Sequence, residues 1–212
     1  MSRSPDARVA PGAQVAAGVE LGPGSVIGPG VSIGPGSTIG ANAVVIGSTT
    51  IGSRVVIGPG TVVGCPGFGY ETRDGKHRLL PHDGAVLIED DVETGANCTI
   101  CAAKTGRETR IGAGTKLDCQ VHIAHNVTVG RDCLIAGQSG IAGSSVLGDR
   151  VKIAGQVGVK DHVTIGDGAV IYAKSAVYRS VPAGAHYSGI PARPHDETKR
   201  MWAKRRRAMS DE

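Results

Sequence analysis

The sequence predicts an all-β fold, a parallel β-helix built of hexapeptide repeats and followed by a short C-terminal α-helix. Three observations predict it. An aliphatic residue, usually followed by Gly or Ala, recurs every six positions, from Val9, Val15, Leu21 and Ile27 onward. A period of six fits neither a lone helix nor a lone strand, but it fits one side of a triangular coil. Aromatics are 3% of the chain against 33 glycines, so the core must be thin layers of Val, Ile, Ala and small residues. Pro-Gly pairs at 23–24, 29–30, 35–36 and 59–60 supply turns at the corners.

Taken in order, residues 1–8 are expected to form an N-terminal tail. Residues 9–181 form the solenoid, with three hexapeptides per coil of about 18 residues and coils stacked at roughly 4.8 Å. The first run of repeats extends to Val63. Residues 65–87 then break the period and should leave the prism as a loop, the kind of insertion that carries function on a rigid scaffold. Residues 101–110 make a smaller break. The second run goes from Ile111 to Val177. Residues 182–212 are a C-terminal extension with a basic helix over 196–208. Pro194 precedes its start, acids fill its first turn and bases its last.

No apolar stretch is long enough to span a membrane, and Met1 to Asp6 has no signal-peptide character. A cytoplasmic location is therefore expected. Five cysteines (Cys65, Cys98, Cys101, Cys119 and Cys133) are an odd count that argues against a disulfide framework. Cys98 and Cys101 make one CxxC pair with no second pair to complete a zinc site. Cys98 and Cys133 fall at small inward positions, where a free thiol packs as a small hydrophobe. No metal site and no bound cofactor are expected. A net charge of +4 and few stacking aromatics argue against nucleic acid.

Stacking arithmetic locates the chemistry. His125 lies in Ile123-Ala124-His125-Asn126, at an outward position, and Gly143, 18 residues later, should sit one coil above it. His162 comes two coils and one residue after His125. A neutral imidazole below an approachable backbone N–H suits acyl transfer: the ring takes the nucleophile's proton and the N–H receives the oxyanion. A lone outward histidine would be merely solvated, so the alignment carries the argument. Cys119, His122 and His125 at intervals of three could in principle hold zinc, but Cys119 and His125 should point to different corners.

From about Ile57 to Pro194 the sequence resembles the UDP-3-O-(3-hydroxyacyl)glucosamine N-acyltransferases of lipid A synthesis. The resemblance rests on GFGY at 67–70, the Ile123 to Val127 core, the run Ile141-Ala142-Gly143-Ser144, and YSGIPARP at 187–194. It implies a left-handed helix, against the usual crossover rule, and a homotrimer with its clefts between subunits. It implies that His125 is the catalytic base and Gly143 the oxyanion donor. His162 near the donor's phosphopantetheine, Asp118 just before the base, and Asn126 are expected to support them. The chain differs where that family carries a uridine-binding domain, since the coils here begin at about Val9. CAAKTGRETR replaces its acid-Arg-Gly stretch, and His122 gives HIAH, as in the O-acyltransferase that opens the same synthesis.

The expected function is transfer of an acyl group from a pantetheine thioester, on acyl carrier protein or coenzyme A, to an amine of a UDP-linked amino sugar. Phe68, Tyr70, His77 and His82 in the 65–87 loop are expected at the acceptor. Arg200, Lys204, Arg205, Arg206 and Arg207, with Lys199, are expected to dock the donor or its carrier, though such a helix could equally be a solubilising terminus. Three alternatives remain open at this point: an acetyl-CoA-dependent acetyltransferase of another small acceptor, a γ-carbonic-anhydrase-like metal hydratase, and a scaffold without catalysis.

Overall fold

The computed structural model describes residues 2–210. Its strands are two to four residues long and assemble into three parallel sheets of 11, 9 and 8 strands, the faces of a triangular prism. The register follows the repeat: Val9 pairs with Ile27, Ile27 with Val45, and Leu21 with Ile39, each 18 residues on. Two positions of each hexapeptide fill the interior. The aliphatic ladders of Ile27, Ile39, Ile51, Ile123, Ile141 and Ile165 are buried. The second inward position is Val, Ala, Cys, Ser or Thr, and its hydroxyls do structural work. Thr61 donates to the Gly95 carbonyl and accepts from the Cys98 N–H, and Ser139 bridges Ala154 and Val157 in the same way. A buried hydroxyl is tolerated because it supplies partners to corner groups that the ladder misses.

The corners need left-handed backbone. Glycine supplies it at Gly24 and Gly30; elsewhere Asn42, Asn97, Gln120, Asn126 and His162 adopt φ between 56° and 63°. Three boundaries differ from expectation. Ser2–Arg3 already pairs with Glu20–Leu21, and Ala7 is buried, so residues 2–8 belong to the first coil and are not a tail. Cys65 ends a strand of the prism and Ala85 begins the next one that belongs to it, so the excursion is 66–84. Within it, Tyr70–Arg73 and Lys76–Leu79 form an antiparallel hairpin around Asp74-Gly75, both at positive φ, the geometry of a type I′ turn. The smaller break narrows to 102–107, because Glu108–Ile111 is a strand.

Beyond the Ile165–Val181 bridge, His186–Ser188 still adds to the first face, and Arg193–Pro194 folds back on it antiparallel. The helix spans His195–Ser210, close to the expected bounds, with Asp196 and Glu197 in its first turn. Thr198 is buried where the helix meets the prism. No helix among the described residues is long and apolar enough to cross a membrane.

Candidate active site

His125 follows the strand His122–Ile123 at the corner between the second and third faces. The left-handed Asn126 after it turns the chain, and its side chain organises the neighbouring break. Asn126 Oδ1 accepts from the Lys104 N–H at 2.8 Å, its own N–H donates to Thr109 Oγ1 at 2.9 Å, and its Nδ2 reaches Ser144 Oγ at 3.5 Å. Asn126 thus ties the 102–107 turn, which carries Lys104, to this corner.

Gly143 sits directly over the imidazole. A Cβ there would lie 2.6 Å from His125 Cε1 and 2.8 Å from its Nε2, so only glycine lets the two coils stack with the ring in place. At the same place in the repeat, the N–H groups of Arg131, Gly137 and Asp149 donate to the carboxylates of Asp149, Asp118 and Asp167. No group among the described residues accepts from the Gly143 N–H. The Gly143 carbonyl is occupied, accepting from the His162 N–H at 3.1 Å.

The 66–84 excursion closes over His125 from the other side. His82 is 8% exposed, and its ring centroid lies 4.9 Å from that of His125. His82 Nδ1 is 2.7 Å from the Leu80 carbonyl, which can only accept, so the proton of the neutral ring is on Nδ1. The glycines of GFGY make this approach possible. A Cβ at Gly67 would be 2.8 Å from both His125 Cβ and His82 Cδ2, and one at Gly69 would be 2.8 Å from His82 Cε1. Between them Phe68 points outward, 85% exposed, and packs edge-on against Tyr70 at 5.0 Å. Gly84 lets the returning chain pass against the 103–107 backbone, and the Thr105 hydroxyl donates to Asp83.

A groove of about 940 Å³ runs along this corner, and Tyr70, His77, Lys104, His122, His125 and His162 are among the residues that line it, with Phe68 and Gly143. Burial lowers the His125 pKa, and the nearby His82, Lys104 and His162 add to the same direction, with the Phe68 carbonyl working against it. The ring is thus neutral at pH 7, as a general base must be. Desolvation lowers His122 as well.

The remaining expected residues divide. His162 reaches the groove, with Asp161 4.0 Å from its Nε2. Within one chain Asp118 does not: it sits at another corner, its oxygens accepting from the Cys119 and Gly137 N–H groups at 2.7 and 2.9 Å. One hexapeptide step moves the chain to the next face, so sequence proximity to His125 puts Asp118 elsewhere. Lys199, Arg200 and Lys204 to Arg207 lie on the exposed helix and do not line this groove within one chain. His82 is the orphan of the expected acceptor set, since it packs on the base itself and does not line the groove. Lys104 is a groove residue that the sequence did not mark. Among the described residues no group of three or more His, Cys, Asp or Glu side chains is placed to hold a metal within one chain.

The repeats match the family model "Bacterial transferase hexapeptide (six repeats)" at residues 30–65 and 108–143. UDP-3-O-acylglucosamine N-acyltransferase from Maricaulis maris is 52% identical over 145 residues, 68% of this chain and 42% of that protein. The enzyme of the same name from Azorhizobium caulinodans is 54% identical over 132 residues, 62% of this chain and 37% of that protein. Among solved structures, LpxA from Acinetobacter baumannii superposes with a TM-score of 0.83 at 28% identity, covering 94% of this chain and 76% of that one. Fold and repeats together define a left-handed parallel β-helix protein of the hexapeptide-repeat class. Within that class the chain is similar to the UDP-3-O-acylglucosamine N-acyltransferases, and it spans about two fifths of the length of those it matches.

Proposed function

We propose that this protein is an N-acyltransferase that moves an acyl group from a pantetheine thioester to the amine of a UDP-linked amino sugar. The observation that carries the reading is the pair formed by His125 and Gly143: a neutral imidazole whose Cε1–Nε2 edge packs against a corner glycine, and a Gly143 N–H with no acceptor among the described residues. The acceptor amine attacks the thioester carbonyl as His125 Nε2 takes its proton, and the Gly143 N–H receives the developing oxyanion. Collapse of the tetrahedral intermediate expels the pantetheine thiolate, which takes the proton back from His125. The product is an amide and a free thiol. The names of the matched relatives support the acyl chemistry and the glucosamine acceptor.

The groove is open on one side in the single chain, and a second surface is needed to bury a substrate. A homotrimer with its clefts between subunits supplies one. Phe68, Tyr70 and His77 then face the acceptor, His162 the pantetheine arm, and the helix bearing Arg200 and Lys204 to Arg207 an acidic carrier protein or the phosphates of coenzyme A. The same donors place the protein in the cytoplasm. The test is a mass-spectrometric screen of acyl-carrier and acyl-CoA donors against UDP-amino sugars, run beside His125→Ala. The expected result is an amide product from the wild type and a fall of roughly 10²–10⁴-fold in the variant. Near-normal turnover by folded His125→Ala would sink the assignment.

A further inference from the structure

The sequence offers Cys98 and Cys101 as its cysteine pair, but the fold separates them. Cys98 points into the prism and donates to the Asp118 carbonyl at 3.1 Å. Cys101 instead lies beside Cys65 on the adjoining coil. The two are register partners in the parallel ladder, Ala102 N–H donates to the Cys65 carbonyl at 2.8 Å, and their sulfurs are 4.0 Å apart. Adjacent strands hold Cα atoms roughly 4.8 Å apart, inside the span a disulfide bridges. Closing the sulfurs from 4.0 Å to about 2.0 Å calls for side-chain rotation and no change of register. Access is asymmetric, as a redox pair requires: Cys65 is half-buried and Cys101 is 3% exposed.

We propose that Cys65 and Cys101 form a thiol-modification site that reacts with low-molecular-weight disulfides and closes into an intrachain disulfide. Cys65 thiolate attacks one sulfur of the small disulfide and expels its other half as a thiolate. Cys101 then loses its proton and attacks the Cys65 sulfur, expelling the second half. Two protein thiols are oxidised, and one small disulfide is reduced to two thiols. Once Cys65 is ionised the Cys101 S–H can donate to its thiolate, which draws the Cys65 thiol down to about 7, while Cys101 itself is raised. Cys65 is thus the attacking partner and Cys101 the resolving one. Cys98 and Cys133 are buried thiols pushed up by burial, the exposed Cys119 adding to the rise at Cys98, and among the described residues no hydrogen bond joins Cys119 to another cysteine. The bond would join the roots of the two excursions that frame His125, since Cys65 opens the one carrying His82 and Cys101 precedes the turn carrying Lys104.

The experiment treats the full chain with oxidised glutathione and maps its cysteines by mass spectrometry, before and after a dithiol reductant. The expected wild-type product has lost two hydrogens, links the Cys65 and Cys101 peptides, and reverts on reduction. Cys101→Ala should instead stop at a glutathione adduct on Cys65, while Cys98→Ala should still close. A wild-type chain that keeps five free thiols, or that closes through Cys98 or Cys119, overturns the proposal. A second readout does not depend on closure. At pH 7 about half of Cys65 is thiolate if its pKa is about 7, against about 1% at the ordinary 9.0. That ~50-fold gain is partly offset by an ~8-fold loss of intrinsic nucleophilicity. Alkylation of Cys65 should therefore slow roughly sixfold in Cys101→Ala. An unchanged rate would show that the two thiols are not engaged, and would overturn the assignment of roles.

Discussion

Replacing Gly143 by alanine tests the site at its tightest point. The new Cβ would lie 2.6 Å from His125 Cε1, where ordinary contact begins at 3.4 Å. The ring or the coil above it must therefore give by about 0.8 Å, the difference of those two distances. Overpacking of this size costs roughly 1–3 kcal/mol. The ring borders the groove and is the more movable party, so His125 should swing and the prism should hold. A base misplaced by about 1 Å loses on the order of 10²-fold in rate. Gly143→Ala should then fold with the wild-type circular dichroism spectrum, melt somewhat lower, and turn over about 10²-fold more slowly. The source of the strain is separable. In a His125→Ala background the added methyl has no ring to meet, so Gly143→Ala should cost almost nothing in stability there, giving a coupling energy within the roughly 0.5–3 kcal/mol seen for residues in contact. Additive stability changes, or a Gly143→Ala enzyme within about threefold of wild type, would refute the stacking argument.

Three further outcomes follow from the same geometry. His125 must be neutral to act and its pKa is lowered from 6.5, so kcat/KM should fall on the acid side with a midpoint below 6.5. The sign for stability is the same: the unfolded chain binds the proton more readily, so this residue's contribution is fully present above 6.5 and is lost as pH falls from there through the lower folded pKa, which a chemical-denaturation series in wild type and His125→Ala would show. Replacing 69–79 by a short Gly-Ser link, which leaves His82 in place, should raise the KM for the acceptor with little change for the donor, because loop length itself costs little; unchanged acceptor kinetics would remove the hairpin from the acceptor site. Deleting 199–212 should depress activity with carrier-protein donors, most at low salt where exposed charges are least screened, and should spare a small acyl-pantetheine; equal effects on both donors would remove the carrier-docking role.

The period of six was enough to set the strands, the three faces and the register, because each coil repeats the same contacts with the one before it. That is why His125 beneath Gly143 could be placed by counting to 18. Counting fails wherever the reasoning uses distance along the chain in place of position in the coil. Asp118 precedes His125 by seven residues, yet it faces another corner, where its carboxylate closes the Cys119 and Gly137 turns. Cys98 and Cys101 are three apart in sequence, but the partner of Cys101 is Cys65, brought one coil below it by an insertion that lengthens the usual step. The hairpin had a local signal in Asp74-Gly75, flanked by residues able to pair. The contact of His82 with His125 had none. It depends on where the loop returns, and that path is set by three close backbone approaches at Gly67, Gly69 and Gly84, each legible only once its neighbour in space is known. A hexapeptide scaffold thus exposes in its sequence whatever obeys the repeat. What distinguishes this site from a bare solenoid wall, His82 packed on the base and Lys104 beside it, lies in the two stretches that break it, so specificity in this class should be sought in the insertions while the catalytic pair is read from the coils.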